Sequence, residues 1–194
     1  MTGVTRYRDR VFALLRDALR PFAPAHRALD FGAGDGWFAR AFQDTGLARE
    51  VVGVDVQPRA RQYIQPVLYD GRHIPFDDRH FDLVTSIDVL HHCPDPRASL
   101  IEALRCSSRF FLLKDHTYVT MGGKVALAVL DELGNRRFAV PSPHHYQKGR
   151  SWFPWIENEG FALRALVHPA PCHAALLGWM TNRLQFVGLW ERTP

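Results

Sequence analysis

Apolar residues recur along this chain at two spacings, one typical of helices and one typical of strands. In residues 4–20 they recur at helical intervals with arginines between them, and Pro21 and Pro24 follow, so we predict an N-terminal helix within residues 1–24. Farther along, short runs of valine, leucine, isoleucine and phenylalanine alternate with helical patterns. The predicted strands are 28–31, 51–56, 66–70, 81–86, 109–114, 161–167 and 184–190.

The alternation of strands and helices predicts an α/β fold. Such an order favours parallel βαβ units, and we expect the strands at 51–56 and 66–70 to be buried. The strands at 161–167 and 184–190 need no helix between them, so we expect them to pair antiparallel at one edge. The pattern therefore predicts a single domain over residues 1–194 with a doubly wound, Rossmann-like, mostly parallel seven-stranded sheet and an antiparallel edge strand.

A long segment separates the fifth predicted strand from the sixth. It contains a helical pattern at 125–133 and then an irregular stretch rich in proline and histidine. Loops of this length in compact domains are usually functional or disordered, and the aromatic and histidine content of this one favours a function. We interpret residues 117–150 as an insertion that covers the substrate, with glycines near both ends as hinges.

Composition excludes several classes of protein. The chain is 46% hydrophobic and 23% charged with a net charge of +4, so we expect neither a disordered chain nor a membrane protein. Three cysteines without a C-x-x-C pair, and a start that lacks the apolar run of a signal peptide, predict a cytoplasmic protein. The basic residues are spread along the chain, which argues against nucleic acid as a partner. The sequence does not indicate an oligomeric state.

The candidate chemistry begins at a glycine-rich turn. The strand at 28–31 runs directly into the turn at 32–36, and a helical pattern follows it. Such a turn lets the backbone approach a ligand, and the helix N-terminus favours an anionic group. Trp37 stands where a dinucleotide motif requires a small residue, which disfavours a nicotinamide or flavin. Asp55, about twenty residues past the turn, is where a carboxylate would bind ribose hydroxyls, so the pattern predicts an adenosine-containing ligand.

At these positions the chain resembles the class I S-adenosylmethionine-dependent methyltransferases. Four landmarks agree in order and spacing: the turn at 30–36, Asp55, Asp70 and the strand at 81–84. The resemblance covers residues 25–115 most closely, and it implies that S-adenosylmethionine is the cofactor.

The resemblance also implies roles for single residues. Asp30, Gly32 and Gly34 would surround the methionine part of the cofactor, Asp55 its ribose and Asp70 its adenine amino group. In the alternative interpretation, the glycines serve only a tight turn and the two strand-end acids cap the next helix. The residues that we predict to contact the cofactor are Tyr7, Asp30, Gly32, Gly34, Asp55, Val56, Asp70, Gly71, Ser86 and Ile87.

Two histidines and an acid are the candidate catalytic residues. Neighbouring strands of a doubly wound sheet end in one crevice, so His91 and His92 after the fourth strand are expected to meet Asp115 after the fifth. A neutral imidazole can take a proton from a substrate hydroxyl while a carboxylate fixes its tautomer. We predict that His91 or His92 is the general base and that Asp115 orients it. The alternative is a structural role, in which the histidines pack against or cap the next helix.

The acceptor is predicted to be a small molecule, because the chain offers no recognition domain beyond the one fold. A histidine base predicts that this molecule is methylated on oxygen. His116, Asn135 and Tyr146 are the predicted substrate contacts. Asp88 and Asp115 resemble a pair of metal ligands, but Lys114 and His116 flank Asp115 where a further acid or amide would stand, so we predict no metal. Three alternatives stay open: a non-catalytic cofactor- or partner-binding protein, a metal-dependent O-methyltransferase and a nucleotide-dependent oxidoreductase.

Overall fold

A computed structural model describes residues 3–135 and 143–194, with side chains described for 6–132 and 143–194. The helices are α1 (Gly3–Leu19), α2 (Trp37–Asp44), α3 (Pro96–Arg105), α4 (Met121–Asn135), α5 (Phe153–Asn158) and α6 (Ala175–Thr181). The strands are β1 (Ala25–Phe31), β2 (Ala48–Asp55), β3 (Val67–Leu68), β4 (Phe81–Ile87), β5 (Ser107–Tyr118), β6 (Gln147–Lys148), β7 (Phe161–Val167) and β8 (Gln185–Arg192).

Seven of the strands form the predicted sheet, in the order β3-β2-β1-β4-β5-β8-β7. The first five are parallel, whereas β8 runs antiparallel to both of its neighbours, β5 and β7. This arrangement confirms the predicted fold class. An eighth strand, β6, was not predicted; its two residues pair in parallel with Thr117 and Tyr118 at the end of β5.

The core lies on both faces of the sheet, as expected when helices cover both sides. Successive residues of a strand point to opposite faces, so Phe111 packs with Trp190 on the side of α3 and α5, while Leu112 packs on the side of α1 and α2. Val11 and Phe42 belong to this second cluster. Packing on both faces fixes the positions of the strands, and with them the positions of their carboxyl ends.

The strand predicted at 66–70 is shorter and more exposed than expected. Only Val67 and Leu68 pair with β2, and their exposed fractions are 38% and 51%. Because β3 is the last strand at its edge, its side chains are less covered than those of the central strands. Asp70, which we expected to end this strand, instead accepts hydrogen bonds from the backbone N–H groups of Arg72 and His73 at 2.8 and 2.9 Å in a tight turn.

The chain order places a crevice at the carboxyl ends of β1 and β4. From β1 the chain builds outward through β2 and β3, and it then returns to β4 on the other side of β1. Ligands of open α/β sheets bind where the strand order reverses in this way. Among the described residues, no helix combines the length and the apolar character needed to cross a bilayer.

Candidate functional site

The glycine-rich turn after β1 presents its backbone at this crevice. Gly32, Gly34 and Gly36 all have positive φ, at 72°, 59° and 76°, a region that side chains other than glycine rarely adopt. A Cβ on Gly32 would lie 2.4 Å from Val89 Cγ1. At Gly34, by contrast, no described atom other than those of Gly34 and its two chain neighbours lies within 4 Å of the Cβ position, so the turn has an open face that a ligand can approach.

Two buried carboxyl groups support this turn. Asp55 Oδ2 accepts a 2.7 Å hydrogen bond from Gly34 N, and Oδ1 accepts one of 3.2 Å from Gln57 N. Neither contact caps a helix, because no helix lies among the described residues between β2 and β3, and ribose binding by Asp55 stays a prediction. Asp30 lies below the turn and accepts a 2.8 Å hydrogen bond from Thr85 Oγ1. Burial raises the pKa of Asp30 to about 7, although the bond from Thr85 opposes the shift.

The other predicted cofactor contacts surround the same crevice. Val56 and Gly71 lie side by side, since a Cβ on Gly71 would be 3.3 Å from Val56 Cγ1. Ser86 and Ile87 end β4, and Ser86 Oγ is buried without a hydrogen-bond partner among the described residues. Asp70 is exposed, and the hydrogen bonds from the His73 and Arg72 backbones lower its pKa.

Helix α1 covers the crevice through a buried polar cluster. The hydroxyl of Tyr7 donates to Asp88 Oδ2 at 2.8 Å and accepts from Lys114 Nζ at 2.7 Å. Lys114 also pairs with Asp88 Oδ1 and donates to Gln185 Oε1 at 2.6 Å. Burial lowers the pKa of Lys114, but the Asp88 carboxylate outweighs burial, so the pKa rises and the amine is charged. We refer to Tyr7, Asp88, Lys114 and Gln185 as the lysine cluster.

His91 and Asp115 meet as expected at the ends of β4 and β5. Both side chains are buried, and His91 Nδ1 lies 2.6 Å from Asp115 Oδ1. Burial lowers the pKa of His91, but the charge and the hydrogen bond of Asp115 together with Asp131 raise it to about 10. His91 therefore holds a proton at neutral pH in this arrangement. This differs from the neutral imidazole that the sequence led us to expect, because two carboxylates face the ring.

His92 has the opposite character. Burial and the neighbouring charge of His91 lower the pKa of His92 to about 4, so its imidazole is neutral. Its Nδ1 atom is buried without a hydrogen-bond partner among the described residues, and its Nε2 atom lies 3.7 Å from Asp131 Oδ1. Of the two candidate bases, His92 is thus the one that has a free lone pair.

Asp131 is a site residue that the sequence analysis missed. It lies on α4, and Oδ1 is 3.7 Å from the Nε2 atoms of both His91 and His92. Tyr146 is buried nearby, and its hydroxyl donates to Asp131 Oδ2 at 2.9 Å. The one available signal was a pair of adjacent acids, Asp131 and Glu132, within the otherwise apolar helical pattern at 125–133.

The remaining predicted substrate residues divide into two groups. His116 lies against the pair of His91 and Asp115. Its Nδ1 atom is 3.4 Å from His91 Nδ1, and its backbone N–H donates to Asp115. Asn135 is the last residue of α4, and its side chain lies outside the described residues. An open cleft of about 420 Å³ lies beside Tyr146 and offers room for a small acceptor. Its lining includes Pro94, Lys124, His144, Tyr146, Trp152 and Trp155.

Comparisons with known proteins agree with this arrangement. A family model described as a methyltransferase domain matches residues 4–166. An uncharacterized methyltransferase of Mycobacterium leprae is 29% identical over 179 residues, 79% of this chain and 65% of that protein. A tRNA U34 carboxymethyltransferase of Methylococcus capsulatus is 28% identical over 196 residues, 89% of this chain and 56% of that one. The chain thus spans less than two thirds of the length of these relatives.

The solved structures show the same fold. An S-adenosylmethionine-dependent methyltransferase from Mesorhizobium loti aligns with a TM-score of 0.68 at 16% identity, covering 93% of this chain and 96% of that one.

Proposed function

Because the chain belongs to the methyltransferase domain family, we propose that it transfers the methyl group of S-adenosylmethionine to a hydroxyl oxygen of a small molecule. One observation carries the proposal: the open glycine turn and the histidines after β4 lie at the same carboxyl edge of the sheet. A cofactor on the turn and an acceptor beside the histidines would then lie next to each other, as an in-line displacement requires.

The residues around the turn fit the cofactor. The positive-φ glycines leave an open face at Gly34, and Ser86 Oγ is a buried polar atom whose hydrogen bond is not made within the described residues. We propose that Asp55 binds the ribose and Asp70 the adenine amino group. The buried carboxyl of Asp30 would face the charged methionine part. Bound S-adenosylmethionine supplies an electrophilic methyl group on a sulfonium.

The histidines would promote loss of the acceptor's proton. In the simplest form of the proposal, His92 accepts this proton directly, and the buried pair of His91 and Asp115 holds the turn after β4 in place. His116 and Tyr146, which both lie beside His91, would contact the acceptor. The open cleft of about 420 Å³ beside Tyr146 has the volume of a small-molecule site.

The test is methyl transfer from S-adenosylmethionine that carries a deuterated methyl group. The protein is incubated with a metabolite extract and, separately, with total RNA, and mass spectrometry locates the label. We expect the label in a small molecule, as an ether or ester methyl. Label in RNA alone would contradict the small-molecule proposal, and cofactor binding without any labelled product would favour the non-catalytic alternative.

Three variants assign the roles. Asp55→Asn should weaken cofactor binding at least tenfold, since a charge-assisted hydrogen bond contributes about 1.5–3 kcal/mol. His92→Gln should slow transfer by about 10²–10⁴-fold with cofactor affinity unchanged. His26→Gln, at the exposed start of β1, is the matched control and should change neither.

A further inference from the structure

We propose that His91, His92 and Asp131 bind a divalent transition-metal ion, with Zn²⁺ as the best fit. These three residues are referred to below as the triad. The inference rests on the proposed function for the role of the ion, but the site itself is argued from geometry alone. It differs from the Asp88 and Asp115 pair considered from the sequence.

The three ligand atoms have the spacing of a metal site. Asp131 Oδ1 lies 3.7 Å from His91 Nε2 and 3.7 Å from His92 Nε2, and all three atoms lie within 4.8 Å of one another. Zn²⁺ binds nitrogen and oxygen at about 2.0–2.2 Å, so tetrahedral ligands are about 3.4 Å apart. Both distances from Asp131 are therefore within a few tenths of an ångström of this value, and the two histidine nitrogens lie at most 4.8 Å apart.

The contacts behind the ligands orient them as in known metal sites. Metal-binding histidines usually donate their other ring N–H to a carboxylate, and His91 Nδ1 meets Asp115 Oδ1 at 2.6 Å. This bond leaves the Nε2 atom of His91 directed at the triad, and an ion bound there would displace the proton that His91 holds in the metal-free protein. In the same way, Tyr146 donates to Asp131 Oδ2 at 2.9 Å, which orients the carboxylate.

The surroundings of His91 Nε2 also point to a bound ion. The atom is buried and makes no hydrogen bond within the described part of the chain. Its distance of 3.7 Å to Asp131 is too long for a hydrogen bond but suits two atoms that share an ion. The other nearby group, His91 with Asp115 and His116, is less suitable because Asp115 already accepts the N–H groups of Leu90 and His116.

The ligand set selects the ion. Two imidazoles and one carboxylate suit Zn²⁺, Co²⁺ or Fe²⁺, whereas Mg²⁺ and Ca²⁺ prefer oxygen ligands. Methyl transfer moves no net electrons to the protein, so a redox-active ion is unnecessary. With three protein ligands, a position is left for the acceptor hydroxyl.

The ion would replace direct proton transfer to His92. A bound hydroxyl has a lowered pKa and releases its proton to water, as metal-bound water does. The acceptor oxygen then forms a bond to the methyl carbon while the carbon–sulfur bond breaks. The sulfonium leaves as a neutral thioether.

The test measures metal binding independently of catalysis. The protein is treated with a chelator, and Zn²⁺ is titrated against a chromophoric competitor; Co²⁺ absorption reports the coordination geometry. We expect one ion per chain with tetrahedral Co²⁺ bands. Asp131→Asn and His92→Gln should each weaken binding at least 100-fold, and Tyr146→Phe about 10–100-fold.

His26→Gln is the matched control and should bind as the parent does, and circular dichroism checks that each variant folds. Binding weaker than about 10 µM, or binding equal in the parent and Asp131→Asn, overturns the proposal. Methyl transfer that persists in chelator without any Zn²⁺ binding overturns the metal site and leaves the proposed function standing. Zn²⁺ binding that depends on Asp131, without methyl transfer to any acceptor, supports the site and counts against the proposed function.

Discussion

At the level of single residues, the carboxyl of Asp30 is an ionisable group in a buried position that disfavours its charged form. The carboxyl is buried under the glycine turn, and burial raises its pKa to about 7. The hydrogen bond from Thr85 opposes this shift, while the carboxylates of Asp55 and Asp35 add to it. A carboxyl that is costly to ionise in the protein alone becomes favourable to ionise once a cation lies beside it.

Replacing Asp30 should therefore change how stability depends on pH. In the folded protein the pKa of Asp30 is about 7, whereas an unfolded aspartate has a pKa of about 3.9, so the folded state binds the extra proton between these values. The free energy of unfolding should fall as the pH rises from 4 to 7, by at most about 4 kcal/mol from this group. Asp30→Asn should remove that fall, as measured by urea denaturation at several pH values.

The control for this measurement is Asp17→Asn, an exposed carboxylate on α1. It should leave the pH profile as it is in the parent. If the Asp30→Asn profile instead follows the parent profile over the whole range, the buried carboxyl is not the cause of the pH dependence.

At the scale of elements, α1 is attached to the site by polar contacts from two adjacent residues. Tyr7 reaches Asp88 after β4, and Arg8 pairs with Asp35 in the glycine turn at 2.8 Å. The loops after β1 and β4 are thus both held by one turn of one helix. Since Gly32 and Gly34 lie on the loop after β1, and Ser86 and Ile87 end β4, the position of α1 and the shape of the crevice depend on each other.

The lysine cluster should contribute more to stability than a surface ion pair. Lys114→Gln leaves Asp88 with no compensating charge in a largely buried place, and we expect a loss of about 3 kcal/mol. Tyr7→Phe removes only hydrogen bonds and should cost about 1–2 kcal/mol. The exposed pair Arg40 and Asp44 is the comparison, and Arg40→Gln should cost about 0–0.5 kcal/mol. Urea denaturation measures all three, and equal costs for Lys114→Gln and Arg40→Gln would contradict this account.

For the whole molecule, the sequence predicted what local patterns determine. The strands, their parallel order and the meeting of His91 with Asp115 follow from periodicity and from the rule that neighbouring strands end together. The family and its cofactor followed from the spacing of the glycine turn and two acids, and the family match confirms them. The contact of Asp131 with both histidines could not be predicted, because it depends on how α4 packs against β5 and not on any pattern within α4.

Within the described residues, the insertion contacts the rest of the protein through a hydrophobic cluster of its own and through hydrogen bonds of its backbone. Leu127, Tyr146 and Leu184 form a separate hydrophobic cluster next to the main core. His145 N donates to His91 O at 3.2 Å, and Gly149 N donates to Tyr118 O at 2.6 Å. A segment with few buried contacts opens at a lower free energy than the core strands. We therefore expect the residues that we propose to face the acceptor to open at a lower free energy than β4 and β5.

Hydrogen exchange should therefore report closure of the insertion on its ligands. We expect the amides of 121–135 and 143–150 to exchange faster than those of β4 and β5 in the protein alone, because their local opening costs less free energy. Adding S-adenosylmethionine and the acceptor should slow exchange of these amides, because ligands bound between α4 and the histidines stabilise only the closed form. Tyr146→Phe, which loses the bond to Asp131, should exchange faster in both conditions while β4 stays unchanged. Equal exchange in 121–135 with and without ligands would show that this segment is a surface excursion and not a cover for the site.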